Sequence, residues 1–303
     1  LSQLRAARSF MRNLDRLNAL VGLEDKGSNN WVVAGEHTES GRPLMANDPH
    51  LSLPSPPVWW MCHINTARAG GQWDVMGVSF AGTPAVTLGF NRNLAWGATV
   101  SNYDVTDIYL ESITPVDGGP DTVLFNGEQI PIQTITETIA MNMGDPVEMQ
   151  IEVVPHHGPI FAGSRQSDSA LSFRWTGHEV SNELASFIGL NLATNASEAQ
   201  AAIDTFQCGG QNLVVATRDG DILWSTHAYM PIRPPEALSY DPATQTGYSP
   251  AMVLPGMGGY ELTGRLADED IPGLLNPDQG WVGTCNQDGI GTSLDGNPFN
   301  DSL

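Results

Sequence analysis

Gly27-Ser28-Asn29-Asn30-Trp31-Val32-Val33-Ala34 is a small-residue junction that opens directly onto a strand-like run. Trp31 to Ala34 are residues a pleated strand favours, a polar turn follows at 36–41, and Pro43-Leu44-Met45-Ala46 resumes the pattern. The spacing predicts an antiparallel hairpin with Ser28 at its open end. A serine hydroxyl is a poor nucleophile until a base takes its proton. A free α-amine, with an ordinary pKa of about 7.7–8.0, is such a base near neutral pH. Cutting the Gly27–Ser28 bond would therefore place nucleophile and base in one residue. Glycine before the serine also lets the backbone reach the strained geometry in which the hydroxyl attacks its own preceding carbonyl. Gly-Ser ahead of a strand is equally the composition of an ordinary turn, and only the sequence around it separates the two.

Outward from the hairpin the pattern stays β, with strands expected at 59–66, 73–80, 85–90, 95–100, 105–112, 122–126, 148–154, 170–175, 212–217 and 221–226. A helix is expected within 181–206, where Leu184, Phe187 and Ile188 fall at i, i+3 and i+4, although Gly189 and Asn191 weaken the stripe. Residues 1–24 read as an amphipathic helix, with Leu4, Ala7, Met11, Leu14, Leu17 and Val21 on one face and most of the arginines elsewhere. Many antiparallel strands with few helices indicate an α+β protein, a pattern that by itself does not exclude a β-sandwich.

The 303 residues are 41% hydrophobic, enough for one large core or two modest ones. A net charge of −21, with Lys26 the one lysine, argues against nucleic acid or an anionic membrane as partner. No run approaches 18 apolar residues, so no membrane-spanning helix is expected. Charged residues are only 16%, below the roughly 25% usual in soluble domains. With 32 glycines and 21 prolines, this describes a loop-rich β protein with a solvated acidic surface. Cys62, Cys208 and Cys285 have neither CxxC spacing nor an even count, so no cysteine zinc site or disulfide framework is implied. Leu1-Ser2-Gln3-Leu4 lacks an initiator methionine and reads as the interior of a longer chain.

Further segments follow in order: Ser40-Gly41-Arg42-Pro43-Leu44-Met45-Ala46-Asn47-Asp48-Pro49-His50-Leu51, then Pro54, Pro57, Trp59 and Trp60. Beyond them stand Gly89-Phe90-Asn91, Ala95-Trp96-Gly97-Ala98-Thr99-Val100, Asp104-Val105-Thr106-Asp107-Ile108-Tyr109, His157-Gly158-Pro159, Asp219-Gly220-Asp221-Ile222 and Gly283-Thr284-Cys285-Asn286-Gln287. In order and spacing these resemble the penicillin acylase family of N-terminal nucleophile amidohydrolases, from Ser28 essentially to Leu303. The resemblance implies a four-layer αββα sandwich, of which this chain is an incomplete portion. Residues 1–27 correspond to the end of an α-chain and spacer up to the cleavage site, and 28–303 to the N-terminal part of the β-chain catalytic domain. It implies an acylase that cuts itself at Gly27–Ser28 and hydrolyses a small N-acyl amide through an acyl-enzyme on Ser28. Its partner would be its own α-chain, its location periplasmic or secreted, and no cofactor would enter the chemistry.

The same resemblance assigns the oxyanion donors to the Val100 backbone N–H and the Asn286 side-chain amide, a group that can aim an N–H at developing charge without ionising. His50 stands where penicillin G acylases have glutamine and where cephalosporin and homoserine-lactone acylases have histidine, and an imidazole there could relay a proton. Leu51 and Leu88 replace aromatic residues of phenylacetyl-binding relatives and Ala98 replaces a serine. These suggest an aliphatic pocket for flexible acyl chains, although core packing explains the leucines equally. Asp104, Thr106 and Asp107 resemble a structural calcium loop, with Pro231 placed to lend a carbonyl. His63, His156, His157, His178 and His227 are read as structural histidines, and Asn29 and Asn30 as turn residues. The competing readings are an unprocessed or non-catalytic member acting as a binding module, and a carbohydrate-binding β-sandwich presenting Trp59 and Trp60.

Overall fold

A computed structural model describes residues 27–51 and 55–287. The helix expected over 1–24, and Pro54, lie outside them. In chain order, Ser28 sits in β1 (Gly27–Val33), which turns back into β2 (Leu44–His50). A meander follows: β3 (Trp59–Asn65), β4 (Asp74–Phe80), β5 (Leu88–Phe90) and β6 (Leu94–Val100). Next come β7 (Thr106–Thr114), β8 (Thr122–Phe125), β9 (Glu128–Pro131), β10 (Gln133–Ile139), β11 (Val147–Val154), β12 (Gly158–Pro159) and β13 (Ser169–Trp175). Helices α1 (Glu183–Leu192) and α2 (Ala196–Ile203) precede β14 (Gln211–Thr217) and β15 (Ile222–Ser225). Short strands β16 (Pro231–Ile232), β17 (Val253–Pro255), β18 (Gly264–Arg265) and β19 (Gly273–Leu275) lead to β20 (Trp281–Thr284).

The central sheet has seven strands in the order β19-β15-β14-β6-β5-β4-β3. Successive side chains of a strand point to opposite faces, and β14 uses both. Leu213 and Val215, with Leu94, Trp96 and Ala98 of β6, pack against Leu190, Ala199, Ala202 and Ile203 of the helices. Val214 and Ala216, with Ile222 and Trp224 of β15, pack against Val32 of β1 and Val282 of β20. The three-stranded sheet β2-β1-β20 therefore lies on the face of the central sheet opposite the helices. The described residues form an α+β structure, supplying a helix layer and two sheet layers of the αββα arrangement. A further sheet, β13-β7-β8-β9 with β17 parallel to β7, and the ribbon β10-β11-β12 lie outside this sandwich.

The helix expected in 181–206 is two helices. Asn182 caps α1 by accepting the Ala185 N–H, and Asn195 caps α2 by accepting that of Glu198. Gly189 is interior to α1 because a Cβ there would lie 2.6 Å from the Ala202 Cβ. Asn191 interrupts the apolar stripe yet is buried: its Oδ1 accepts the Val86 N–H at 2.8 Å and its Nδ2 donates to the Val86 carbonyl at 2.7 Å. Strand β10 was not expected from the sequence. Every residue in it is exposed, so it carries no alternation between apolar and polar faces.

Candidate active site

Register fixes what faces what around Ser28. In the β1–β2 pair Ser28 lies opposite Pro49 and Gly27 opposite His50, and in β1–β20 Asn30 lies opposite Thr284. Polar side chains then bind this small sheet to the central one. Asn47 exchanges two hydrogen bonds with the Ala98 backbone, donating from Nδ2 at 2.9 Å and accepting the Ala98 N–H at 3.2 Å. The Thr99 and Thr284 hydroxyls meet at 2.8 Å, Thr284 donates to Asn30 Oδ1 at 2.6 Å, and Asn30 Nδ2 reaches the Asn212 carbonyl at 3.2 Å. Asn30, Thr99, Asn212 and Thr284 are buried, where each unmade bond would cost about 1–3 kcal/mol, so the network sets the position of the Ser28 strand on β6 and β14.

Ser28, Val100 and Asn286 converge at this joint. Asn286 follows β20 with φ of 72°, a left-handed conformation that asparagine tolerates better than most residues. Its Oδ1 accepts the Ser28 N–H, and its Nδ2 donates to the Val100 carbonyl at 2.8 Å. Asn102 holds the loop by donating to the Asn286 carbonyl at 2.9 Å, and Asn212 does the same for Gln287 at 2.9 Å. The Ser101 N–H bonds the Gly210 carbonyl at 3.0 Å. Strand alternation turns the Val100 N–H toward the other edge of β6, the edge where Ala98 N–H meets Asn47. Gly27 is tight against the same asparagine, since a Cβ on it would lie 3.1 Å from Asn286 Oδ1.

Ser28 is nearly buried and lines a cavity of about 290 Å³. Leu51, Leu88, Ala98 and Val100 line it too, joined by Pro49, Thr87, Leu213 and four aromatic residues, Trp59, Phe80, Phe187 and Phe206. Trp59 stacks on Phe80 with ring centroids 4.5 Å apart. The aliphatic residues expected in the pocket are there, and aromatic ones join them. Leu51 and Leu88 form part of the wall, but aromatic side chains from β3, β4, α1 and the loop before β14 complete it. Sequence reading missed these because only the packing of α1 over the sheet brings them together. Trp59 faces the cavity, whereas Trp60, its neighbour along β3, points to the other face and is 68% exposed. The two tryptophans do not form one exposed platform for a sugar ring.

His50 is placed differently from the expectation. Being opposite Gly27, its side chain projects to the face away from that of Ser28, and its Nε2 lies 2.9 Å from Asp48 Oδ2 on a half-exposed surface. Strand alternation, which sends Pro49 and Leu51 to the cavity, is the reason. The imidazole is turned away from Ser28.

At the loop expected to hold calcium, the structure adds a neighbour that the sequence reading did not include. Arg233, two residues after Pro231, inserts its buried guanidinium among the oxygens assigned to the ion. Nε donates to Asp107 Oδ1 at 2.9 Å, and Nη2 reaches the Asp104 carbonyl at 3.0 Å and Asp104 Oδ1 at 3.1 Å. Thr106 is a ladder residue opposite Trp175, and Pro231 pairs with Arg265. Burial pushes the Asp107 carboxyl upward in pKa, and the adjacent guanidinium opposes that shift. The guanidinium takes Asp107 Oδ1 and leaves Asp107 Oδ2 buried without a hydrogen-bond partner. The sequence carried the signal in Arg233, but its distance in sequence from Asp104 hid the pairing.

The family model for penicillin amidase matches residues 2–301. Acyl-homoserine lactone acylase QuiP of Pseudomonas aeruginosa is 31% identical over 91% of this chain and 32% of its own length. Penicillin acylase 2 proenzyme of Pseudomonas sp. strain SE83 is 30% identical over 86% of this chain and 31% of its own. Among solved structures, the thermostable penicillin G acylase from Alcaligenes faecalis superposes with a TM-score of 0.71 at 25% identity, over 84% of this chain and 43% of that one. The chain thus spans about a third of the length of these curated relatives.

Proposed function

Since this chain belongs to the penicillin amidase family, we propose that it carries the nucleophile of an acylase that cuts its own Gly27–Ser28 bond and then hydrolyses an N-acyl amide. One observation carries this reading: Asn286 bridges Ser28 and Val100 at a cavity that Ser28 itself lines. Cleavage converts the Ser28 amide into an α-amine. That amine takes the hydroxyl proton as Oγ attacks the substrate carbonyl. The Val100 N–H and Asn286 Nδ2–H receive the oxyanion, the latter after leaving the Val100 carbonyl. The proton passes to the departing amine, the acyl group stays esterified to Oγ, and water attack through the same donors releases the acid and restores Ser28.

The acyl group occupies the apolar cavity. A wall of leucines and aromatic rings accepts either a linear chain or a phenyl ring, which fits relatives named as acyl-homoserine lactone acylases and as penicillin acylases. The partner is the protein's own α-chain, ending at Gly27, and the mature enzyme works in the periplasm or outside the cell. The family resemblance supports both. No cofactor is assigned to the chemistry, and the loop at Asp104 and Asp107 is read as held by Arg233. His50 is read as a surface residue paired with Asp48. The test is hydrolysis of N-acyl-homoserine lactones and penicillin G by the full-length protein, with Ser28→Ala as control. Release of acid by the wild type and none by the variant supports the reading. Equal release by both overturns it.

A further inference from the structure

A second cluster of chemistry-bearing residues lies away from the Ser28 cavity, on the β13-β7-β8-β9 sheet. Alternation along β7 sends Asp107, Tyr109, Glu111 and Ile113 to its buried face, so a carboxylate stands at a core position. Glu111 is fully buried, and its Oε1 accepts from the Ser172 hydroxyl and lies 2.7 Å from His157 Nδ1. His157 Nε2 lies 3.2 Å from Glu261 Oε1. His156 sits beside His157 with ring centroids 4.3 Å apart. Both rings are held in orientation, His157 stacked on Tyr109 at 3.7 Å and His156 on Phe125 at 3.7 Å.

Two features of this cluster are unexplained by packing. Glu111 Oε2 and His156 Nε2 are buried with no hydrogen-bond partner, an arrangement that costs about 1–3 kcal/mol per group. Two carboxylates also flank one imidazole, Glu111 at Nδ1 and the partly exposed Glu261 at Nε2. One ligand atom from each of Glu111, His156 and His157 lies within 4.8 Å of the others.

We propose that Glu111, His156 and His157 form a binding site for a divalent transition cation, zinc being the best match. Two imidazoles and a carboxylate are a zinc donor set, with a fourth position left for water. His157 ligates through Nδ1, whose hydrogen is released to solvent on binding, and Glu261 accepts from Nε2–H and fixes that tautomer. The ion ties β7 to the turn between β11 and β12 and to the segment bearing Glu261. Glu261 is partly exposed, which provides the ion's route from solvent. This inference is independent of the acylase reading, because none of these residues lines the Ser28 cavity.

The test uses the full-length protein, stripped with a chelator, re-equilibrated with zinc sulfate and dialysed. About one zinc per chain is expected by mass spectrometry of the metal, with X-ray absorption showing nitrogen and oxygen ligands near about 2.0–2.1 Å. His156→Phe keeps the ring against Phe125 and should lose the zinc, whereas the exposed-site variants His37→Gln and His63→Gln should retain it. Should His156→Phe fail to fold, Glu261→Gln serves instead, with affinity lowered about 10–100-fold. A wild-type protein that retains no zinc overturns the proposal. So does zinc held equally by a folded His156→Phe protein, or undiminished affinity in Glu261→Gln.

Discussion

Asn286 Nδ2 donates to the Val100 carbonyl at 2.8 Å across 186 residues of sequence. The contact closes the β20 loop over the end of β6 and leaves Asn286 Oδ1 to accept from Ser28. One amide thus touches the proposed nucleophile residue and the strand proposed to offer the second oxyanion donor. Replacing it by alanine in the mature enzyme should lower kcat by about 10²–10³-fold, the usual cost of removing one such donor. KM should change much less, and circular dichroism should show the fold retained. Unchanged kcat would remove Asn286 from the site.

Gly27 makes a separable prediction. Because a Cβ there would stand 3.1 Å from Asn286 Oδ1, Gly27→Val should slow self-cleavage of the precursor. In the proposed cleavage residue 27 leaves with the α-chain, so whatever fraction matures should have wild-type kcat. Electrophoresis of the precursor over time, with active-site titration of the product, separates the two effects. Normal cleavage kinetics would show that the close approach of Gly27 to Asn286 has no part in maturation.

Arg233 should act as a built-in cation. Arg233→Met strands the buried Asp107 carboxylate, and breaking a buried pair from one side costs about 3–5 kcal/mol. Burial raises the Asp107 pKa in the folded state. A carboxyl raised above its unfolded value favours folding most below that value and loses the contribution as pH rises through the folded pKa. The stability deficit of Arg233→Met should therefore grow from acid toward neutral pH, and Asp107→Asn added to it should recover part of the loss. Adding EGTA to the wild type should leave Tm unchanged; a fall in Tm would restore the calcium reading.

Much of this architecture was legible in advance. The hairpin at Ser28 follows from Trp31 to Ala34, the turn and Pro43 to Ala46, and the meander of β3 to β6 from alternating apolar residues bounded by Gly and Pro. Ser28, Val100 and Asn286 could be named through the family resemblance, since a valine that gives only its backbone N–H leaves no mark of its own. What joins them could not. Asn47, Asn102 and Asn212 are ordinary loop or strand asparagines until the two sheets are stacked, and then their amides hold the site together. His50 was read from its place in the family pattern, which does not show the face of the strand it occupies; here it pairs with Asp48. The aromatic half of the pocket stayed hidden because Phe187 and Phe206 line one cavity with Leu88 only once α1 and the loop before β14 pack on the sheet.

Pocket shape sets a graded specificity. With leucine and aromatic walls, linear N-acyl amides and phenylacetyl amides should both be hydrolysed. Their kcat/KM values should differ by no more than about 10–200-fold, the range apolar pocket contacts can discriminate. Leu88→Phe adds volume inside a cavity of about 290 Å³ and should reduce kcat/KM more for long linear chains than for short ones. An equal effect on every chain length would place Leu88 outside the acyl site.

Ser28 carries the central claim, that one residue becomes both nucleophile and base when its own peptide bond is cut. Intact-mass analysis of the full-length protein tests this most directly. Wild-type protein should yield two chains, one ending at Gly27 and one beginning with Ser28, while Ser28→Ala should remain a single uncut precursor. Cleavage of Ser28→Ala at the same bond, or hydrolysis of N-acyl amides by a wild-type chain still joined at Gly27–Ser28, would contradict the account.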